Sequence, residues 1–164
     1  MAKLIILSGV PGSGKSYFSH LLRDYKHGHV YIISSDTLRD LVTGNQQDLS
    51  EDQLMWSFYY DLAKLYSRDK KGIVVLDSTN VEATYRIEAA KTLRSLFEQV
   101  DLISFSIKPE VIYRQNLDRE WPIPTEVITD YIEKFQLPTK EDEEVFDNVY
   151  VIKDKNFKEI VNKY

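Results

Sequence analysis

The sequence contains no cysteine, which excludes disulfide staples, thiolate metal sites and a cysteine nucleophile, and gives no support for an oxidising compartment. Only three histidines occur, His20, His27 and His29, and none stands in a spacing such as H-E-x-x-H, so a zinc enzyme is disfavoured. Long apolar runs are equally scarce. The N-terminus, MAKLIILSGV, has an apolar stretch that stops at a glycine, too short for a signal-peptide core or a spanning helix. A cytoplasmic protein without a membrane partner is the expectation. Repeats, low-complexity tracts and Pro/Ser-rich linkers are also missing, so the 164 residues read as a single domain, 1–164.

An excess of basic charge is lacking too: the formal net charge is −5. The segment 141–147 (EDEEVFD) holds five acids and no base, which equals the whole imbalance and leaves the rest of the chain neutral. Such a run is expected to be a solvated helix face. Local basic clusters elsewhere stay possible, although only Lys70-Lys71 stands out.

What is present is enough to fold. Apolar residues make up 43% of the chain and charged residues 29%, a balance that buries a core and argues against disorder. Apolar runs at Lys3 to Ser8, Val30 to Ser34, Ile73 to Asp77, Leu102 to Ile107 and Asn148 to Ile152 read as buried strands. Between them, Tyr17 to Tyr25, Ser50 to Asp69 and Thr84 to Phe97 carry helical spacing, with Ser50 and Gln53 as a capping box, Pro109 in a first turn and Gly72 as a helix stop. Alternating strands and helices predict an α/β three-layer sandwich around a five-stranded parallel sheet. In such sheets ligands bind beyond the carboxyl ends of the strands.

Immediately after the first run comes Gly9-Val-Pro-Gly12-Ser13-Gly14-Lys15-Ser16, which meets G-x-x-x-x-G-K-[ST] at every fixed position between a strand and a helix. Three of the six glycines fall here, where the backbone must turn successive N–H groups toward anionic oxygens at a helix N-terminus. Lys15 is expected to bridge the β- and γ-phosphates, and the Ser16 hydroxyl to ligate Mg²⁺. A nucleoside triphosphate, ATP or GTP, is therefore the expected cofactor.

The second run ends Ser34-Ser35-Asp36-Thr37-Leu38-Arg39. Asp36 and Arg39 lie one helical turn apart, so a carboxylate can accept the proton of an attacking hydroxyl while an arginine grips a neighbouring phosphate. As structural roles, Asp36 could instead cap the next helix and Arg39 lie at the surface. The third run ends in Asp77, a carboxylate placed for a metal or for steering a cation, and Asn80 either caps the next helix or offers its amide to substrate. Trp56, Tyr59, Tyr60 and Tyr66 on the long middle helix are expected mainly in the core, and His27-Gly28-His29 in a surface loop.

GVPGSGKS, then S-D-x-x-R, then LDSTN, then Arg114-Gln-Asn-Leu-Asp-Arg119 and Pro122-Ile-Pro124-Thr-Glu-Val127-Ile resemble the P-loop kinases grouped around the 5′-hydroxyl polynucleotide kinase domain of phages, AAA-type ATP-binding proteins. The resemblance implies the P-loop nucleoside-triphosphate hydrolase fold in its adenylate-kinase-like form, with a small lid around 110–137. It implies phosphoryl transfer to a hydroxyl, with Asp36 as general base, Arg39 on the adjacent phosphate, and Arg119 on the transferring group, held by Asp77. The expected acceptor is a polynucleotide 5′-hydroxyl, so a single-stranded 5′ end is the expected partner. A small alcohol, a nucleoside or a nucleotide is the alternative acceptor, and a non-catalytic nucleotide-binding switch the alternative of another kind. The 3′-phosphatase domain that often accompanies such kinases is not expected in 164 residues.

Overall fold

A computed structural model describes residues 1–154 and 156–164. Five strands, β1 (Lys3–Ser8), β2 (Val30–Ser34), β3 (Ile73–Asp77), β4 (Gln99–Phe105) and β5 (Asn148–Ile152), form one all-parallel sheet in the order β2-β3-β1-β4-β5. The helices are α1 (Lys15–Lys26), α2 (Ser35–Thr43), α3 (Asp52–Tyr66), α4 (Ala83–Leu93), α5 (Pro109–Leu117), α6 (Thr125–Lys134), α7 (Lys140–Val145) and α8 (Phe157–Val161), with a 3₁₀ turn at Arg94–Leu96.

Successive side chains of a strand point to opposite faces, and β1 shows the consequence. Leu4 and Ile6 enter one core with Met55, Ala63, Ile87 and Leu93 from α3 and α4, whereas Ile5 and Leu7 enter the other with Phe18 and Leu22 of α1 and Ile160 of α8. The predicted three-layer α/β sandwich is therefore observed. Central strands are buried on both faces and the edge strands β2 and β5 only in part. A third apolar cluster, Val10, Val81, Ile112 and Ile128, packs α5 and α6 against the loop that follows β1.

Several sequence expectations shift. β4 begins at Gln99 rather than Leu102, because Asp101 is buried yet accepts hydrogen bonds from Gln99, Asn148 and Tyr164 side chains. Ser50 and Gln53 form no capping box: the backbone N–H of Ser50 bonds to Asp48 Oδ1 in a local turn, and the helix starts at Asp52. That helix stops at Tyr66, and Gly72 instead closes a turn onto the Asp69 carbonyl. Pro109 does open α5.

The acidic segment is only partly a solvated face. Asp142, with no solvent exposure, accepts hydrogen bonds from Arg86 Nε at 2.9 Å and Nη2 at 2.6 Å and forms a capping box with Thr139. Asp147 receives both Nη groups of Arg94. Trp56, Tyr59, Tyr60 and Tyr66 belong to or line the first core, and His27, Gly28 and His29 are exposed.

Candidate functional site

The carboxyl ends of the strands open into a cleft of about 600 Å³. Its base is the phosphate loop, in which Gly12 and Gly14 take φ of 85° and 98°. L-residues avoid this left-handed region. A Cβ at Gly12 would also stand 3.3 Å from the Ile112 carbonyl, and one at Gly14 would meet the Phe157 ring at 3.2 Å. Gly9 anchors the loop root by donating its N–H to the Thr79 carbonyl at 2.8 Å. Beside it, the buried Ser13 hydroxyl has no partner among the described residues. Gly14 caps α1 without a side-chain acceptor, so the first-turn N–H groups of that helix are left for an anion.

Lys15 is buried, with Nζ donating to the Val10 carbonyl at 3.0 Å. Burial lowers its pKa below the ordinary lysine value; Asp77 and Asp36 oppose that shift and Arg119 adds to it. These four charges therefore share one neighbourhood. Ser16 Oγ donates to Asp77 Oδ2 at 2.8 Å. Burial raises the Asp77 carboxyl above its usual range, against the pull of Lys15 and Ser16. A hydroxyl and a carboxylate so juxtaposed fit Mg²⁺, which takes one or two protein oxygens and completes its shell with phosphates and water. Among the described residues no group of three or more His, Cys, Asp or Glu forms a self-sufficient metal cage.

Asp36 stands at the start of α2, its side chain 52% exposed and facing the cleft. The helix is capped by Ser34, whose hydroxyl accepts the Thr37 N–H, so Asp36 is free of the capping role. Arg39 Nη1 reaches Asp36 Oδ1 at 3.3 Å. The same guanidinium bonds Asp52 through Nε at 2.8 Å and Nη2 at 3.5 Å, and the Gln46 carbonyl through Nη1. No motif in the sequence marks Asp52, thirteen residues away, for this contact.

Arg119 follows α5 and reaches the cleft from the opposite wall. Its loop is shaped by the buried Asn116, whose side-chain amide bonds both backbone groups of Ile123. No ion pair joins Arg119 to Asp77 among the described residues. Asp77 bonds Ser16 instead, which departs from the pairing implied by the resemblance.

Asn80 differs further. With φ of 41°, it turns its amide onto the Leu7 carbonyl and Ser78 Oγ, so it knits the loop root and faces neither the cleft nor a helix end; Glu82 precedes α4. The remaining wall is apolar: Trp121, Ile123, Pro124, Val127 and Tyr131, with Leu49 also lining the cleft. Of this wall the sequence singles out the stretch 122–128, as part of the lid region implied by the resemblance, without its apolar character.

A second cavity of about 370 Å³ adjoins Ser13 and Gly14 and is bounded by Ile107, Val111 and Gln115 and by Tyr17 and Phe157, whose rings meet edge to face at 5.5 Å. No helix among the described residues is long and apolar enough to cross a membrane.

Comparison with known proteins agrees with this fold. Residues 4–138 match a family described as an AAA domain. The 2′,3′-cyclic-nucleotide 3′-phosphodiesterase of Rattus norvegicus is 32% identical over 114 residues, which span 68% of this chain and 24% of that protein. The chain thus aligns with only about a quarter of the length of that relative. Among solved structures, Chaetomium thermophilum Kti12 in complex with ADP-AlF3 superposes with a TM-score of 0.69 at 19% identity, covering 98% of this chain and 96% of that one. A fungal RNA kinase superposes with a TM-score of 0.69 at 17% identity, covering 99% and 42%. At such identities the likeness is one of fold.

Proposed function

The chain belongs to the AAA domain family, and from that premise we propose that it is an ATP-dependent phosphotransferase that carries the γ-phosphate to a hydroxyl acceptor. One observation carries the reading: an exposed, uncapping carboxylate, Asp36, lines the same cleft as the phosphate loop and Arg119, and both side chains act electrostatically on Lys15. Asp36 accepts the proton of the attacking hydroxyl. Lys15 and the α1 N–H groups hold the polyphosphate, and Arg119 neutralises the group in flight from the other wall. Ser16 and Asp77 would hold Mg²⁺, which when bound would supply further charge neutralisation at the phosphates. The nucleotide base occupies the second cavity between the α5 face and the Phe157 ring.

We read residues 1–164 as one domain in which α5 with α6, roughly the segment 110–137, serves as the lid. This segment packs on the loop through a small apolar cluster and carries Arg119, so its position controls both water access and charge.

The acceptor we favour is a polynucleotide 5′-hydroxyl, supported by the fold shared with an RNA kinase and by an arginine beside the base. A small alcohol, a nucleoside or a nucleotide is the second reading, favoured for the uncharged acceptors by the engagement of that arginine with two carboxylates. Transfer of labelled γ-phosphate to a panel of 5′-hydroxyl DNA and RNA, nucleosides, nucleotides and sugars decides between them. Labelling of small alcohols alone selects the second reading, and labelling of none removes phosphotransfer. An Asp36→Asn protein that loses turnover yet still binds ATP would argue against the alternative of a non-catalytic nucleotide-binding switch.

A further inference from the structure

We propose that Asp52 is a specificity-determining residue that holds Arg39 away from acceptor phosphates, so that a phosphate-bearing acceptor must displace it. The inference rests on the phosphotransferase reading for its acceptor, but Asp52 is assigned from contacts alone. A guanidinium has five N–H donors and grips a phosphate best through two parallel ones. In Arg39, Nε and Nη2 form such an edge, and both bond Asp52, at 2.8 and 3.5 Å. Nη1 is shared between Asp36 Oδ1 and the Gln46 carbonyl, each at 3.3 Å. No two-donor edge is left.

The charge count points the same way. Arg39 contributes one positive charge and Asp36 and Asp52 two negative ones, so the acceptor wall is net −1. The other cleft cations, Lys15 and Arg119, stand at the loop and the opposite wall. A phosphate approaching the α2 side meets repulsion and an occupied arginine, whereas a neutral alcohol meets neither. The Arg39 side chain is 10% exposed and that of Asp52 31%, so the pair is sheltered enough for its charges to matter and open enough for exchange. Asp52 is also the first residue of α3, which links the state of Arg39 to the 45–51 loop that lines the cleft through Gln46, Gln47 and Leu49.

The test compares a nucleoside with its 3′-monophosphate, titrated into the full-length protein saturated with a non-hydrolysable ATP analogue. Asp52→Asn keeps the shape and hydrogen-bonding reach of the side chain while removing one charge. It is expected to tighten binding of the 3′-monophosphate by about tenfold and to leave the nucleoside unchanged. Asp52→Ser, which also suits a helix start, should do the same, and a thermal melt confirms that each variant is folded. A merely structural role would move both ligands together, and that result, or no change in either, overturns the proposal. Because binding is measured without turnover, failure of γ-phosphate transfer in the panel assay counts against the enzymatic reading and leaves this result to be judged separately.

Discussion

Replacing Arg86 by methionine tests how the phosphate loop is held up from below. Arg86 is completely buried and bonds Asp142 twice, the carbonyls of Gln136 and Leu137, and Ser8 Oγ. Ser8 in turn donates to the Asn80 carbonyl and immediately precedes Gly9, so one guanidinium joins β1, the loop after β3 and the exit from α6. Arg86→Met leaves the Asp142 carboxylate buried with only Thr139 as donor. Breaking one side of a buried pair costs about 3–5 kcal/mol, a large share of the roughly 5–15 kcal/mol that stabilises a domain. For a domain of this size that corresponds to a fall in Tm of about 6–20 °C. Burial pushes the Asp142 carboxyl up, but Arg86 and Thr139 outweigh it and hold it below its usual value. A depressed carboxylate contributes stability above its unfolded pKa and loses it as pH falls through the folded pKa. The gap between parent and variant should therefore be full at neutral pH and close in strong acid. Thermal and urea melts across pH measure it. A neutral-pH loss below about 1 kcal/mol would refute the assignment of this pair as the brace, as would a gap that widens in acid. The double variant Arg86→Met, Asp142→Leu should recover part of the loss, since no charge is then buried alone.

Asp36→Ala should lower kcat by about 10²- to 10⁴-fold with nucleotide affinity retained, and equal turnover in single-turnover assays removes Asp36 as the base. Gly14→Ala places a Cβ at φ of 98° against the Phe157 ring and should weaken ATP binding as well as lower Tm, whereas unchanged calorimetric affinity would show that the loop tolerates the methyl group. Asp69, hydrogen-bonded by His29 and Tyr31, has its carboxyl lowered to about 2, so the stability it lends is present above the usual carboxylate range and lost as pH falls toward that value; Asp69→Asn should flatten this part of the pH–stability curve and leave activity intact.

Much of the architecture was legible because it is local. The β1 strand, the glycine spacing from 9 to 14 and the helix opened by Pro109 follow from backbone freedom and side-chain periodicity within a few residues, and the structure places them as expected. The boundaries that moved did so where a distant partner outbids a local signal. The start of β4 moved back from Leu102 to Gln99, where Asn148 and Tyr164 are brought to Asp101, and Asp142, expected on a solvated face, is buried by Arg86 reaching it across 56 residues.

The candidate site divides along the same line. Lys15, Ser16, Asp36 and Asp77 could be named from the chain because parallel strands deliver their carboxyl ends to one edge: Asp77 ends β3, while Asp36, Lys15 and Ser16 stand in the first turns of the helices that follow β2 and β1. Whether a named side chain is free to act is a different matter, set by what else the fold brings within hydrogen-bond range. Asn80 turned inward to the loop root, Arg119 stood apart from Asp77, and Arg39 was met by Asp52. The order of residues alone thus determined a phosphate cradle on a parallel sheet, because strand, glycine turn and helix are near neighbours in sequence. The packing of distant segments decided which charges around that cradle are paired and which remain available, because Coulombic and hydrogen-bond contacts depend on separation in space.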